Sequence, residues 1–132
     1  MRILCNRINS LRNDRGAAAV EFALVVPILL MLVFGAIEYG RIYSELEVLE
    51  SAAREGARAA SVRGDALAVQ TVVETAANPY TLDGTPGADK VCDGSTIGQP
   101  VTVSWTQNFQ VSIALLPPAN VNRVIKGVFR CE

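Results

Sequence analysis

The chain has 132 residues, enough for one ordinary domain but not for two full cores. Half of the residues are hydrophobic, 19% are charged and the net charge is −1, which excludes a disordered acidic tail and argues against nucleic-acid binding. The chain has no histidine and its three cysteines lack metal-site spacing, so histidine-based catalysis and most zinc sites are excluded. We therefore expect no enzyme activity, no metal and no cofactor.

The N-terminal part divides into a basic leader and an apolar segment. Residues 1–16 carry four arginines and one aspartate, whereas residues 17–37 carry one charged residue, Glu21. A helix over the 21 residues of this segment would be about 31 Å long, which matches a hydrocarbon core of about 30 Å. The sequence therefore predicts a cytoplasmic leader over 1–16 and a transmembrane helix over 17–37, since arginine-rich ends stay in the cytoplasm.

Two other interpretations of the apolar segment remain open. A buried helix of a soluble protein would have to be wrapped by the remaining residues, which are few for that purpose. A cleaved signal peptide has an apolar region of about 7–15 residues ending at small residues, and Val33-Phe34-Gly35 offers such a site before Ala36. The apolar run here is longer and contains Pro27, so we favour a single-pass protein of the inner (cytoplasmic) membrane with an extracytoplasmic C-terminus.

The sequence pattern of residues 38–77 predicts an extracytoplasmic helical stalk followed by a second helix. The helical spacing of apolar residues continues to Val62 in steps of three and four. These apolar positions are Ile42, Leu46, Leu49, Ala53, Ala57 and Ala60.

The second helix has its own start and stop signals. Gly64 is expected to end the first helix, and Asp65 to cap the next one over Ala66–Ala77. Asn78-Pro79 then ends the second helix. Its apolar face comprises Val69, Val72, Val73 and Ala76.

Residues 78–132 predict a small β-rich head. Its first part is rich in turn residues, with one short strand expected around Lys90–Cys92. A later strand is expected over Val121–Arg130, with a bulge at Gly127. The fold class is therefore α+β: a long N-terminal transmembrane helix that continues into the extracytoplasmic head, a second short helix and a small antiparallel β module.

Period-two alternation in the head predicts a hairpin. Residues 101–105 and 109–113 alternate between apolar and polar side chains, and residues 106–108 are expected to form the turn between them. Trp105 lies in the first of these runs and is expected to anchor the core.

Two cysteines fall in the extracytoplasmic part, where disulfides persist. A bond between Cys92 and Cys131 would close a loop of about forty residues and stabilise the head by roughly 4 kcal/mol in the chain-entropy model. A small head with few aromatic residues needs a constraint of this kind, so we predict this disulfide.

Small residues recur four apart on the first helix, a spacing that lets another backbone approach closely. They are Ala52, Ala53, Gly56, Ala57 and Ala60. The favoured interpretation is that they seat the helix against its own β module. The alternative is helix packing between subunits, and the two uses can share one helix on different faces.

The junction of leader and apolar segment reads Arg15-Gly16-Ala17-Ala18-Ala19-Val20-Glu21-Phe22. This pattern resembles the prepilin processing motif of type IV pilins and pseudopilins, in which a membrane peptidase cuts after the glycine. The resemblance implies cleavage between Gly16 and Ala17, and an assembly role for Glu21 beside Phe22. An unpaired carboxylate in a membrane seeks a cation, and the free amine of a neighbouring Ala17 is one. The alternative is that Glu21 lies close enough to the interface to be tolerated without a partner.

Two further blocks, Gly35-Ala-Ile-Glu-Tyr-Gly-Arg41 and Ala52-Ala-Arg-Glu-Gly-Ala-Arg58, narrow this resemblance. Over about residues 15–60 the chain resembles the TadE-like family, pseudopilins of the tight-adherence (Flp-type) pilus machinery of bacteria. The resemblance implies a protein without catalytic activity that acts in pilus assembly or as a minor pilin. The implied partners are the membrane, other pilins or pseudopilins, a prepilin peptidase and an inner-membrane pilus platform. The alternative is an anchored or signal-cleaved extracytoplasmic binding module without a pilus role.

Overall fold

The computed structural model describes residues 2–63, 65–113 and 116–132, with side chains described from residue 16 onwards except at 63. Its elements are the helices α1 (Arg2–Arg63) and α2 (Ala66–Ala77) and the strands β1 (Gly87–Ala88), β2 (Pro100–Val111) and β3 (Ala119–Arg130). The strands form one antiparallel sheet in the order β1-β2-β3. The predicted α+β fold, with a long N-terminal apolar helix and a second short helix, is confirmed.

α1 is a single helix of 62 residues. It begins at Arg2, well before the predicted start near Ala17, because the leader has no glycine or proline before Gly16 to interrupt it. Pro27 lies inside the helix without ending it. Gly64, which was expected to end the helix, lies outside the described residues.

Among the described residues, α1 is the one helix long and apolar enough to cross a bilayer. Its most apolar window of 18 residues has a mean hydropathy of 2.6, and none of that window is buried within the chain. An exposed apolar surface of this extent marks a membrane or protein contact. The helix is therefore consistent with a single-pass membrane protein.

α2 has the predicted bounds and the predicted cap. The Asp65 carboxylate accepts a hydrogen bond from the backbone N–H of Leu67 at 3.1 Å, which satisfies one of the free donors at the start of the helix. Three apolar residues of α2 are fully buried, namely Val69, Val73 and Ala77. A Cβ atom added to Gly56 of α1 would overlap a methyl group of Val73, so the missing side chain allows the two helices to cross closely.

β2 is one continuous strand, so the predicted hairpin with its turn at 106–108 is wrong. The two alternating runs are in phase, since every odd-numbered residue from Val101 to Phe109 is buried. Gln107 is the polar member of this buried set. Its Nε2 donates to the Thr81 carbonyl at 3.0 Å, and its Oε1 accepts from the Asp83 N–H at 3.1 Å. A fully bonded amide therefore lets the strand continue through the core.

β1 also lies elsewhere than predicted, at Gly87–Ala88 instead of Lys90–Cys92. The residue after it, Asp89, bonds β2 twice. Its N–H donates to the Thr102 carbonyl at 2.9 Å, and its carboxylate accepts from the Thr102 N–H at 2.7 Å. Because this side chain takes a position that a strand backbone would occupy, the pairing ends there.

β3 confirms the predicted third strand and begins two residues earlier, at Ala119. Its twelve residues pair with β2 in unbroken register, so the predicted bulge at Gly127 is wrong. Gly127 instead allows β3 to approach α1 closely. A Cβ at Gly127 would overlap the carbonyl group of Ala53 and the backbone nitrogen of Arg54. β3 therefore rests directly on the backbone of α1.

The core lies between the sheet and the two helices. Its buried members are Leu49, Ala52, Ala53, Ala57 and Ala60 of α1, Val69, Val73 and Ala77 of α2, Val101, Val103, Trp105 and Phe109 of β2, Ile125 of β3, and Cys131. Trp105 is a core residue, as predicted. The sheet follows α1 from Ser61, whose carbonyl accepts from the Glu132 N–H at 3.5 Å, down to Glu38, whose carboxylate accepts from the Ser112 N–H at 2.9 Å.

A disulfide joins Cys92 to Cys131, with their Cα atoms 5.4 Å apart. The surrounding backbone is also paired. The Gly98 N–H donates to the Cys131 carbonyl, and the Cys131 N–H donates to the Gln99 carbonyl, both at 2.9 Å. The bond therefore ties the loop before β2 to the end of β3, at the end of the sheet farthest from residues 17–37.

We predict that Gly127→Ala destabilises the head. The added Cβ must push β3 away from α1, and overpacking of this kind costs roughly 1–3 kcal/mol of the free energy of unfolding. Urea unfolding of the full chain in detergent micelles, followed by Trp105 fluorescence, measures the loss. Gly87→Ala is the matched control, because no atom lies within 4 Å of its added Cβ. Equal stability of the two variants would contradict the close approach.

We predict that the disulfide forms within one chain in protein taken from the cell envelope. Removing it with the paired substitution Cys92→Ser and Cys131→Ser should lower the free energy of unfolding by about 2–4 kcal/mol, because the unfolded chain gains freedom. Peptide mapping without reductant checks the linkage. Two free thiols in the mapped protein would show that the bond is absent.

Candidate functional site

The predicted processing and assembly residues lie on the part of α1 that has no contact with the head. Gly16, Ala17, Glu21 and Phe22 are all exposed, and Phe22 keeps 71% of its surface accessible. Ala17 and Glu21 are four residues apart, so they lie on one face of the helix. Nothing in the described part of the chain lies within 4 Å of a Cβ built on Gly16. A peptidase could therefore reach this backbone without displacing the head.

Glu21 has no hydrogen-bond or ion-pair partner among the side chains that the structure describes. It is also the one charged residue of segment 17–37. A carboxylate in a bilayer needs either a cation or access to water at the interface. Any cation that pairs with Glu21 therefore lies outside the described side chains.

The five small residues of α1 are used within the head. Ala52, Ala53, Gly56, Ala57 and Ala60 are all buried. Gly56 meets α2 at Val73, and Ala53 meets β3 at Gly127. In this structure the small-residue face is therefore already covered by the chain's own elements.

The structure adds a site that sequence reasoning missed, at the C-terminal end of the apolar segment. We call Glu38, Arg41 and the backbone of Gln110 and Ser112 the boundary clamp. The Arg41 guanidinium donates to Glu38 through Nη2 at 2.9 Å and Nε at 3.1 Å, and Nη2 also donates to the Gln110 carbonyl at 2.8 Å. The Ser112 N–H donates to Glu38 Oε1 at 2.9 Å. Two of these four hydrogen bonds, to the Gln110 carbonyl and from the Ser112 N–H, thus fasten the end of β2 to the turn of α1 that follows the apolar segment.

The clamp is an ionised pair with shifted pKa values. The hydrogen bonds from Arg41 and from the Ser112 N–H lower the pKa of Glu38 from 4.5 to about 2. The same pair raises the pKa of Arg41 above its ordinary value. The Glu38 side chain keeps 14% of its surface exposed and the Arg41 side chain 49%, so water screens part of the attraction. The clamp is therefore a charge-assisted positioning contact at an accessible site.

Beside the clamp, an apolar groove of about 580 Å³ separates α1 from the end of the sheet. Gly35, Tyr39, Ile42, Tyr43, Leu46, Phe109, Val111, Ile113 and Val121 line it, with Glu38 and Arg123 at its polar part. The rings of Tyr39 and Tyr43 stack with centroids 6.1 Å apart. A hydrogen bond to Glu47 raises the pKa of Tyr43. Tyrosines at this level are typical of a membrane–water interface.

Residues 16–58 match the TadE-like protein family. The matched segment begins at Gly16, the glycine of the predicted processing motif, and ends at Arg58, so it contains the first block without Arg15 and the other two blocks in full. It covers about a third of the chain. No curated protein and no solved structure matches the chain. The TadE-like segment thus comprises the apolar part of α1, the clamp residues Glu38 and Arg41, and most of the buried small residues.

In the part of the chain that the structure describes, no three histidine, cysteine, aspartate or glutamate side chains are grouped to hold a metal ion. TadE-like proteins are typically non-enzymatic. The predicted processing and assembly residues and the boundary clamp are separate features of α1: the first lie in its exposed apolar stretch and the second at the end of that stretch.

We predict that the clamp makes head stability depend on pH in acid. Because the pKa of Glu38 is lower in the folded chain, its contribution is complete above pH 4.5 and is lost as the pH falls towards 2. Glu38→Gln should lower the Tm at neutral pH and flatten the decline between these values. Thermal unfolding at stepped pH measures this. Glu55→Gln, at an exposed position of the same helix, should keep the decline. Parallel pH profiles for all three proteins would contradict the clamp.

Proposed function

We propose that the protein is a TadE-like pseudopilin or minor pilin that acts in assembly of a bacterial Flp/Tad-type pilus. The observation that carries the proposal is the family match over residues 16–58, which starts at the processing glycine. The exposed apolar helix supports a single-pass position in the inner membrane, with the leader in the cytoplasm. Its partners are then other pilins or pseudopilins, the prepilin peptidase and the inner-membrane pilus platform.

Processing is the first step of this function. The peptidase cuts the peptide bond between Gly16 and Ala17, which leaves a mature chain of residues 17–132 with a new α-amino group. Gly16 suits such a cut because it has no side chain and lies at the abrupt step from Arg15 to the apolar segment. The head begins far along α1, so the cut leaves its core intact.

Assembly is the second step, and Glu21 is its central residue. A carboxylate at this depth is costly unless it finds a cation. The α-amino group of a processed Ala17 on a neighbouring subunit is a cation at a matching depth. Pairing across subunits satisfies both charges in a medium of low dielectric constant and fixes the stagger between parallel helices.

We predict that the mature protein begins at Ala17, and that Gly16→Val blocks this maturation in cells that carry a prepilin peptidase. A bulky side chain at the cleavage position cannot enter a site built for glycine. N-terminal sequencing and intact mass give the readout. A start at Ala36 would indicate signal peptidase and the binding-module alternative. An unchanged mature mass for Gly16→Val would contradict prepilin processing.

We predict that Glu21→Ala leaves membrane insertion and cleavage intact but abolishes pilus assembly, because the partner amine loses its counter-charge. Glu21→Gln keeps the shape without the charge and should fail at least in part. Piliation, scored beside a membrane-fraction blot, measures both effects. Leu24→Ile, at an exposed apolar position three residues after Glu21, is a control that keeps the charge. Normal piliation with both Glu21 variants would contradict the assembly role and show that Glu21 is a carboxylate tolerated near the membrane surface without a partner.

A further inference from the structure

The connection between β2 and β3 is rich in apolar residues, which is unusual for a loop. Residues 112–118, which we call the hairpin tip, read Ser-Ile-Ala-Leu-Leu-Pro-Pro and contain no charge. Leu116 keeps 49% of its surface exposed. Exposed loops in water are normally polar, and an uncharged apolar tip marks a contact surface.

The boundary clamp fixes the level of this tip relative to the bilayer. Ser112 is bonded to Glu38, the first charged residue after the apolar segment. The next residue, Ile113, lines the groove together with Gly35. Gly35 lies three residues back along α1, or about 4.5 Å further towards the bilayer centre. The Leu116 N–H donates to the Ile113 carbonyl at 3.1 Å, so Leu116 lies close to Ile113 and to the depth of Gly35.

We propose, on the basis of the membrane insertion in the proposed function, that Ile113 and Leu116 of the hairpin tip insert into the adjacent leaflet as a second membrane contact. Phospholipid acyl chains cover Ile113 and Leu116 and enter the apolar groove beside them. Three observations favour lipid as the occupant: continuity with the exposed apolar face of α1, the absence of charge in the tip, and the exposed Tyr39 and Tyr43 that flank the groove.

This contact has a structural consequence. If α1 were the one membrane contact, the head could tilt relative to the bilayer. A head that is also held by its tip has two contacts with the membrane, so its tilt relative to the bilayer is restricted. Polar residues resume on both strands at Gln110 and Asn120, which sets the limit of insertion.

Depth-dependent fluorescence quenching tests the contact on the full chain in phosphatidylcholine vesicles with brominated acyl chains. Single tryptophans are introduced as Leu116→Trp, Phe34→Trp and Val128→Trp. Trp105 is retained in every variant, because it is buried and contributes the same background. Val128 is the matched control: it is 53% exposed and lies on β3 about 30 Å along the strand from the tip.

The expected result is at least twofold quenching of the added fluorescence for Phe34→Trp and Leu116→Trp, and none for Val128→Trp. For Leu116→Trp, bromine near the headgroup should quench more than bromine near the methyl end. Quenching at Phe34 without quenching at Leu116 overturns the lipid contact and assigns the tip to a protein partner, while insertion of α1 stands. No quenching at Phe34 removes the membrane insertion itself and this inference with it.

Discussion

The contact between Gly127 of β3 and the peptide of Ala53 and Arg54 sets the position of the sheet on α1. Backbone meets backbone there, so no side chain can be added on the strand. With this distance fixed, Leu49, Trp105 and Ile125 fill the space on either side and the core closes. The sheet then extends along α1 towards the clamp at one end and the disulfide at the other.

One helix therefore serves two environments. No described part of the chain covers its most apolar stretch, whereas the stretch from Leu49 to Ala60 is the floor of the head core. The boundary clamp lies between them and fastens the sheet where the apolar stretch ends. Because the TadE-like match ends at Arg58, it includes most of this floor but not the strands that cover it. A filament or platform that holds the apolar helix would thus also determine the orientation of the head.

The sequence predicted the features that depend on local chemistry. Helical periodicity, the Asp65 cap and the Asn78-Pro79 stop fixed α2, and alternation identified the strands. The hairpin was misplaced because the polar Gln107 interrupts the alternate apolar positions, whereas distant groups at Thr81 and Asp83 satisfy its amide. The clamp was missed for a related reason: a Glu and an Arg three apart are visible in the sequence, but their partners on β2 depend on a register that only the folded sheet provides. The boundaries of leader, span, stalk and head remain predictions, as do the processing and assembly roles of Gly16, Ala17, Glu21 and Phe22.

We conclude that α1 and the sheet fold as one cooperative unit that begins where the apolar segment ends. Native-state hydrogen exchange of the full chain in lipid nanodiscs tests it directly, with urea added in steps. We expect the exchange of amides in α1 between Leu46 and Ala60 and of amides in β2 between Val101 and Phe109 to accelerate together, with the same dependence on urea. Slow exchange that persists in this part of α1 after the sheet amides have exchanged would contradict it, because the helix would then be stable without its sheet.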